Sequence, residues 1–300
     1  MFKFKERREG ILLKGIAHLV MIILALLAVM PFILMISASI TDERTAVAHG
    51  YRFIPREFGF EAYNYIFTAG DQIGRAYLVT LAVTIIGTLT SVFISSMFAF
   101  GLHQKKVPGV KIVMVLLVIT MLFNGGIVPS FYVYNNILQV KNTLFGLILP
   151  NFLMNAFTII LILSYYRTNI PLELNEAAEI DGAGLHYQYF RLILPLSRPI
   201  LATVGLLAAI MYWNDWINGL YYISDPRLHT IQLVLNQMNQ NLAWLASNAA
   251  ALGGTQALGR LPTATIRMAI AVVAILPIMI AYPFFQKYFA KGIALGAVKG

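Results

Sequence analysis

A chain of 300 residues that is 59% hydrophobic and 12% charged is not an ordinary soluble domain, in which about a quarter of the residues carry charge. Its net charge of +9 would suit nucleic acid or an acidic ligand on a soluble surface, but here it falls between long apolar runs, where basic residues set the orientation of a membrane protein. Cysteine is absent, so disulfides and thiolate metal sites are excluded.

Six runs are apolar enough to cross a bilayer, at 15–40, 76–102, 112–130, 142–166, 199–222 and 266–288. A helical span takes about 20 apolar residues, whereas a β-barrel shows short alternating segments. The expected fold class is therefore all-α integral membrane, with six transmembrane helices in one domain, residues 1–300. The basic start, 1–14, followed by an apolar run has the order of a signal peptide. The run is longer than the usual h-region of about 7 to 15 residues, so it is expected to remain as the first helix.

The segment 41–75 mixes Arg44, Arg52 and Arg56 with Tyr51, Phe53 and Phe58, which suits an interfacial hairpin or short surface helices. A tight basic turn at 103–110 joins the second and third runs through Pro108 and Gly109. The third run contains Asn124, Gly125, Gly126 and Pro129, which interrupt helical backbone. This is either a helix end at the external interface or a pathway-lining element. The fourth run holds Pro150 with Asn151 and Asn155 at i and i+4, amides that either line a pathway or bond neighbouring helices.

Between the fourth and fifth runs lies a polar insert, 168–196. Pro171 is tolerated in a first helical turn, Glu173 and Glu176 complement a positive helix start, and Ala177 and Ala178 favour helix while leaving a close-packing surface. Glu179 and Asp181 follow, and Gly182 and Gly184 end the helix. A second amphipathic run continues from Leu185 to Leu194 and is expected to stop before Pro195. The carboxylates line one short helix beside Arg191 rather than ring a pocket, so the insert reads as a docking surface and not as a catalytic or Mg2+ site.

The fifth run ends in Tyr212, Trp213, Asn214, Asp215, Trp216, Ile217 and Asn218. A carboxylate at a helix centre costs about 2.5–3.5 kcal/mol on insertion scales. Asp215 is thus either a water-accessible carboxylate in an aromatic belt or part of a pathway. In the second case Trp213 and Trp216 offer flat faces to sugar rings, while Asn214, Asp215 and Asn218 offer partners to hydroxyls. The segment 223–264 is amide-rich and reads as an external loop longer than a turn requires, for binding or simply solvated. Its candidates for contact with a binding partner are Asn236, Gln237, Asn239, Gln240, Asn241, Gly253 and Gly254.

Basic residues concentrate at Lys3, Lys5, Arg7, Lys14, Lys105, Lys106 and Arg167 and in the tail 289–300, giving an expected N-in, C-in topology with the polar insert in the cytoplasm. Phosphate-loop, zincin and nucleophile-elbow motifs are absent, and the five histidines are scattered. An ATP site or an enzyme active site of its own is not expected.

The whole chain resembles the permease subunits of carbohydrate ABC importers, particularly the second permease of a maltose-type pair. The resemblance is carried by 176–184 with Leu192, Ile193, Leu194 and Pro195, by Trp213, Asn214 and Asp215, and by the ending Lys291, Gly292, Ile293 to Gly296, Ala297, Val298, Lys299, Gly300. Leu192 stands where the usual motif has Ile. The segment 124–129 is more specifically similar to permeases for polysaccharide fragments of alginate and pectin type.

That resemblance implies a type I ABC importer permease fold in the bacterial cytoplasmic membrane, working by alternating access. It implies a homologous second permease, an external solute-binding protein, and two cytoplasmic ATPases that hold the ATP and Mg, with no cofactor in this chain. Glu173, Glu176, Ala177, Ala178, Asp181, Gly182 and Gly184 would form the coupling helix that enters the ATPase groove. The loop around 236–254 would probe the binding protein, and the tail at 296–300 would reach between the ATPases. Readings that stand beside it are an ABC permease for peptide or another small solute, an ion-coupled secondary transporter using Asp215, and a non-transporting membrane assembly.

Overall fold

The computed structural model describes residues 2–68, 70–104, 107–150, 152–247 and 265–280. Among these the regular structure is helical, joined by turns and irregular stretches and with an isolated antiparallel bridge between Thr41 and Phe58. The chain divides into two compact units, residues 1–70 with 238–276 and residues 71–237 with 277–300.

In the first unit, α1 (Phe2–Ser39) is one continuous helix that begins well before the apolar run and passes through Pro31. Its stretch Leu13–Ser39 is long and apolar enough to cross a bilayer, and large side chains such as Leu13, Met21 and Leu26 are exposed along it. Its C-terminal end is tied down by polar groups. Ser37 Oγ donates to the Arg52 carbonyl at 2.6 Å, and the Ser39 and Tyr63 hydroxyls lie 2.9 Å apart. The expected hairpin with short helices is present: α2 (Glu43–His49) is capped by Asp42 Oδ1, which accepts from Thr45 N at 3.0 Å, and α3 (Glu61–Thr68) follows the bridge. Asp42 N donates to the Glu57 carbonyl and Gly59 N to the Ile40 carbonyl, which closes the hairpin.

In the second unit, α4 (Gly70–His103) is a continuous span-length helix. Small residues at Thr80, Gly87, Ser91 and Ser95 recur at helical spacing on its buried side, so neighbouring chains approach closely. Gly87 shows the need: a Cβ there would stand 2.6 Å from Tyr212 Cζ. Tyr212, in α12 (Arg198–Trp213), packs edge-on against Phe152 and donates its hydroxyl to the Ile148 carbonyl at 3.0 Å.

Three expected spans are broken. The third, expected over 112–130, is α5 (Val110–Leu122), then an irregular Phe123–Gly126, then α6 (Ile127–Tyr132) running into a π-helical turn, Val133–Ile137; the two parts are bent by 114°. The Asn124 side chain accepts from Gly126 N at 2.9 Å, so the amide closes the turn that the glycines allow. The fourth, expected over 142–166, is α7 (Phe145–Ile148) and α8 (Ala156–Asn169). Pro150 lacks the N–H that would continue α7, and Asn155 caps α8 by accepting from Thr158 N at 3.2 Å. The fifth, expected over 199–222, is α12 and α13 (Ile217–Tyr222) with a break at Asn214 to Trp216.

Of the segment 223–264, expected as an external loop, residues 223–247 are described and are largely helical, while 248–264 lie outside the described residues. A short 3-10 turn leads into α14 (Ile231–Ser247), whose Ile231, Val234 and Leu235 fall at i, i+3 and i+4 and are buried. The sixth expected span is described as α15 (Thr265–Ile280), whose first N–H and hydroxyl both reach Glu43 Oε2, at 2.9 and 2.7 Å. Among the described residues two helices are span-length, or four counting the bent pairs.

Candidate functional site

The polar insert folds as α9 (Leu172–Ile180), a turn, α10 (Leu185–Tyr187), a π-helical turn Gln188–Ile193, and α11 (Leu194–Leu196). Pro171 sits at the N-cap position rather than inside the first turn. The turn is built by Asp181 N to the Ala177 carbonyl, Gly182 N to Glu179 and Ala183 N to Ala178, and it needs φ +78° at Gly182, a left-handed value that suits glycine. Gln188 Nε2 donates to the Ala183 carbonyl at 2.9 Å and locks the turn from behind.

Contrary to expectation, the second helix does not stop before Pro195. The chain stays helical to Leu196, because Pro195 falls in the first turn of α11, where a missing N–H costs little. The break comes at Ser197, fully buried, whose N–H and hydroxyl both reach the Ile193 carbonyl, at 3.0 and 2.6 Å. There the chain bends by 80° into α12.

Glu173, Glu176, Ala177 and Ile180 recur at i, i+3, i+4 and i+7 and are exposed, as are Asp181, Gly182 and Gly184. Ile180 is 87% exposed, so its whole side chain is open to a partner. Ala178 and Asn175 turn inward instead and are buried on the other side of the helix.

The inner side of the insert is anchored by Tyr189 and Ile193, one helical turn apart and buried, residues that the sequence reading passed over. They join a core made of Ala99 and Phe100 from α4, Ile159, Ile162, Leu163 and Tyr166 from α8, and Val204 from α12. The Tyr189 hydroxyl bonds the Ser96 hydroxyl, and its ring lies 5.5 Å from that of Phe100. Burial pushes the Tyr189 phenol above its ordinary value against the opposing pull of the Ser96 bond, so it stays neutral. The exposed face of α9 and the helices α4, α8 and α12 thus share one buried anchor.

At the α12–α13 break, Asp215 Oδ1 accepts from the Ile217 and Asn218 N–H groups, both at 3.1 Å, and caps α13. Asn218 is buried and donates its amide to the Pro150 carbonyl at 3.1 Å, joining this break to the one between α7 and α8. Asn214 is exposed and donates to the Ile210 carbonyl at 2.9 Å. Trp213 is buried, 6.2 Å from the Tyr77 ring centre. The amides and carboxylate named as pathway candidates each bond backbone at the breaks: Asp215 and Asn155 accept from the first turns of helices, Asn218 ties two breaks together, and Asn124 closes its own turn. Asn151 lies outside the described residues.

Of the binding-partner candidates, Asn236 and Gln237 are half-buried on α14, and Asn239, Gln240 and Asn241 are exposed on it. Gly253, Gly254 and the tail 289–300 lie outside the described residues.

Comparison with known proteins adds to this geometry. Residues 74–295 match the family model described as binding-protein-dependent transport system inner membrane component. Over 93% of its length the chain is 39% identical to the polygalacturonan/rhamnogalacturonan transport system permease protein YtcP of Bacillus subtilis (strain 168), covering 96% of that protein. It is 34% identical to protein LplC of the same organism, over 91% of this chain and 90% of the relative. A solved bacterial ABC transporter involved in the import of the acidic polysaccharide alginate contains a chain that is 29% identical, with a TM-score of 0.74, covering 92% of this chain and 96% of that one.

Proposed function

We propose a function from one premise: the chain belongs to the family of inner membrane components of binding-protein-dependent transport systems. It is a multi-pass membrane permease component of an ABC importer and carries out no enzymatic step of its own.

On this reading the cargo is an oligosaccharide, of acidic pectin or alginate type. Support comes from the relatives, one named for polygalacturonan and rhamnogalacturonan and one for alginate. A homologous second permease completes the pathway, an external solute-binding protein delivers the cargo, and two ATPases bind ATP and Mg. The proposed orientation has the polar insert in the cytoplasm and both termini on the same side; the basic residues around 1–14, 103–110 and 167–198 support it through the positive-inside bias. In that topology the amide-rich segment 223–264 follows the fifth span on the opposite side, where the delivered sugar would arrive.

The observation that carries the proposal is the exposed stripe Glu173, Glu176, Ala177 and Ile180 backed by the buried Tyr189 and Ile193. When the ATPases close on ATP, α9 moves with them, and the buried anchor carries that motion into α4, α8 and α12. The ATPases must bind the two permease states with different affinity for this to be coupling. A side chain at Gly182 would cost about 1–2 kcal/mol in the left-handed region and misdirect the turn. Glu176→Lys and Gly182→Val are expected to abolish uptake and stimulated ATP hydrolysis while the protein remains in the membrane. Normal coupled uptake in both variants would overturn the docking role. For the cargo, galacturonate and alginate oligomers presented with the cognate binding protein are expected to stimulate ATP hydrolysis, and neutral oligomers to do so less.

A further inference from the structure

Behind the exposed stripe of α9 lies a cavity of about 600 Å³, walled by Gln104 and Pro108 from the α4–α5 connection, by Asn175, Glu176 and Glu179 from α9, and by Gln188. Asn175 is 5% exposed, yet neither Oδ1 nor Nδ2 has a hydrogen-bond partner, and Gln104 Nε2 is likewise buried and unpartnered. Gln188 differs, since its amide is spent on the Ala183 carbonyl. Buried polar groups are rarely left unmade without a reason, so three such groups around one cavity restrict which protein or ligand groups could dock there.

They are one acceptor, Asn175 Oδ1, and two donors, Asn175 Nδ2 and Gln104 Nε2. A carboxylate or phosphate would take both donors but leave Oδ1 unmet, and would sit beside Glu176 and Glu179. An ammonium or guanidinium group would suit those carboxylates and Oδ1 but leave both donors unmet. One extended main-chain residue answers all three, because its own N–H and C=O lie side by side: the carbonyl accepts from Asn175 Nδ2 and Gln104 Nε2 and the N–H donates to Asn175 Oδ1.

We infer that this cavity receives a main-chain segment of the ATPase subunit, so that docking is reciprocal: α9 enters the ATPase while the ATPase enters the space behind α9. The inference rests on the docking role proposed above, and its support is continuity, because Glu176 belongs both to the exposed stripe and to the cavity wall.

The test uses the assembled permease pair in lipid nanodiscs, titrated with its purified ATPase subunit, with melting of the free pair measured in parallel. Replacing an unpartnered buried amide by a similar apolar group stabilises a protein that makes no use of it. Asn175→Leu is therefore expected to raise the melting temperature of the free pair while weakening ATPase binding by about tenfold or more, and Gln104→Met to act in the same two directions. Unchanged ATPase affinity in both variants would overturn the inference, and if Asn175→Leu does not assemble, Gln104→Met decides alone. Glu176→Lys separates the two levels. If it weakens binding while the cavity variants do not, the docking role stands and the reciprocal contact falls; if it too leaves binding unchanged, the docking role falls first.

Discussion

The hydroxyl of Tyr189, on the π-helical turn of the polar insert, bonds the hydroxyl of Ser96, on the buried side of α4 two turns from its C-terminal end. It joins residues 93 positions apart within a largely apolar core, in which the Tyr166 hydroxyl also reaches the Ser96 carbonyl. Tyr189→Phe keeps the ring and leaves the buried Ser96 hydroxyl without this partner, so a loss of about 1 kcal/mol is expected. Tyr189→Ala also empties the space beside Phe100 and is expected to cost about 3–5 kcal/mol. Melting of the purified permease measures both. If the bond carries motion from α9 into α4, uptake per ATP hydrolysed falls in Tyr189→Phe even where stability is nearly kept.

Gly87 and Tyr212 make a second close approach. The Tyr212 ring is held by the Ile148 carbonyl at one end and by Phe152 on its flank, so it has little room to yield to a Cβ at 2.6 Å. Gly87→Ala is expected to destabilise the protein by about 1–3 kcal/mol, the usual penalty of overpacking. Combining it with Tyr212→Leu is expected to give less than the sum of the two single effects, because both act on one contact. Thermal melting of the four proteins in a double-mutant cycle tests this, and strict additivity would show that the ring moves aside freely.

Asp215 distinguishes a structural carboxylate from a coupling one. Its Oδ1 serves as an acceptor for two backbone N–H groups, a task that asparagine can also perform. Asp215→Asn is expected to preserve ATP-driven uptake within about twofold, and Asp215→Ala to cost about 0.5–2 kcal/mol through loss of the cap. Uptake abolished in a well-folded Asp215→Asn protein would favour an ion-coupling or sugar-binding carboxylate instead.

Helix type was legible wherever apolar residues ran on without interruption, as in α1 and α4, and the insert could be read because its glycines and carboxylates mark a helix and its end. The breaks were harder. The pair Gly125 and Gly126 marks the interruption of the third run and the break falls there, but Pro150 and the sequence Asn214, Asp215 announce irregularities whose extent hydropathy averages over. The polar side chains at those breaks suggested a pathway because their type suits sugars, whereas their bonds go to backbone left open by the breaks. In α14, a count of amides hid the spacing of Ile231, Val234 and Leu235, which marks a helix. Asn175 and Tyr189 were invisible for a different reason: their meaning lies in burial, which local sequence does not give.

Ile180 offers the cleanest separation of docking from folding. At 87% exposed it contributes little to the stability of the free permease, and surface substitutions of this kind usually stay within about 0.5 kcal/mol. It nevertheless ends the exposed stripe on α9, next to the turn at Gly182, and burial of an isoleucine in a partner's groove is worth about 1.5–3 kcal/mol. Ile180→Asp is therefore expected to leave melting unchanged and to weaken ATPase binding by about tenfold or more, with a matching loss of stimulated hydrolysis. Ile180→Leu, which keeps the apolar volume, is expected to bind nearly as the natural chain does. Equal affinity of the Asp and Leu variants would show that the exposed isoleucine faces something other than the ATPase.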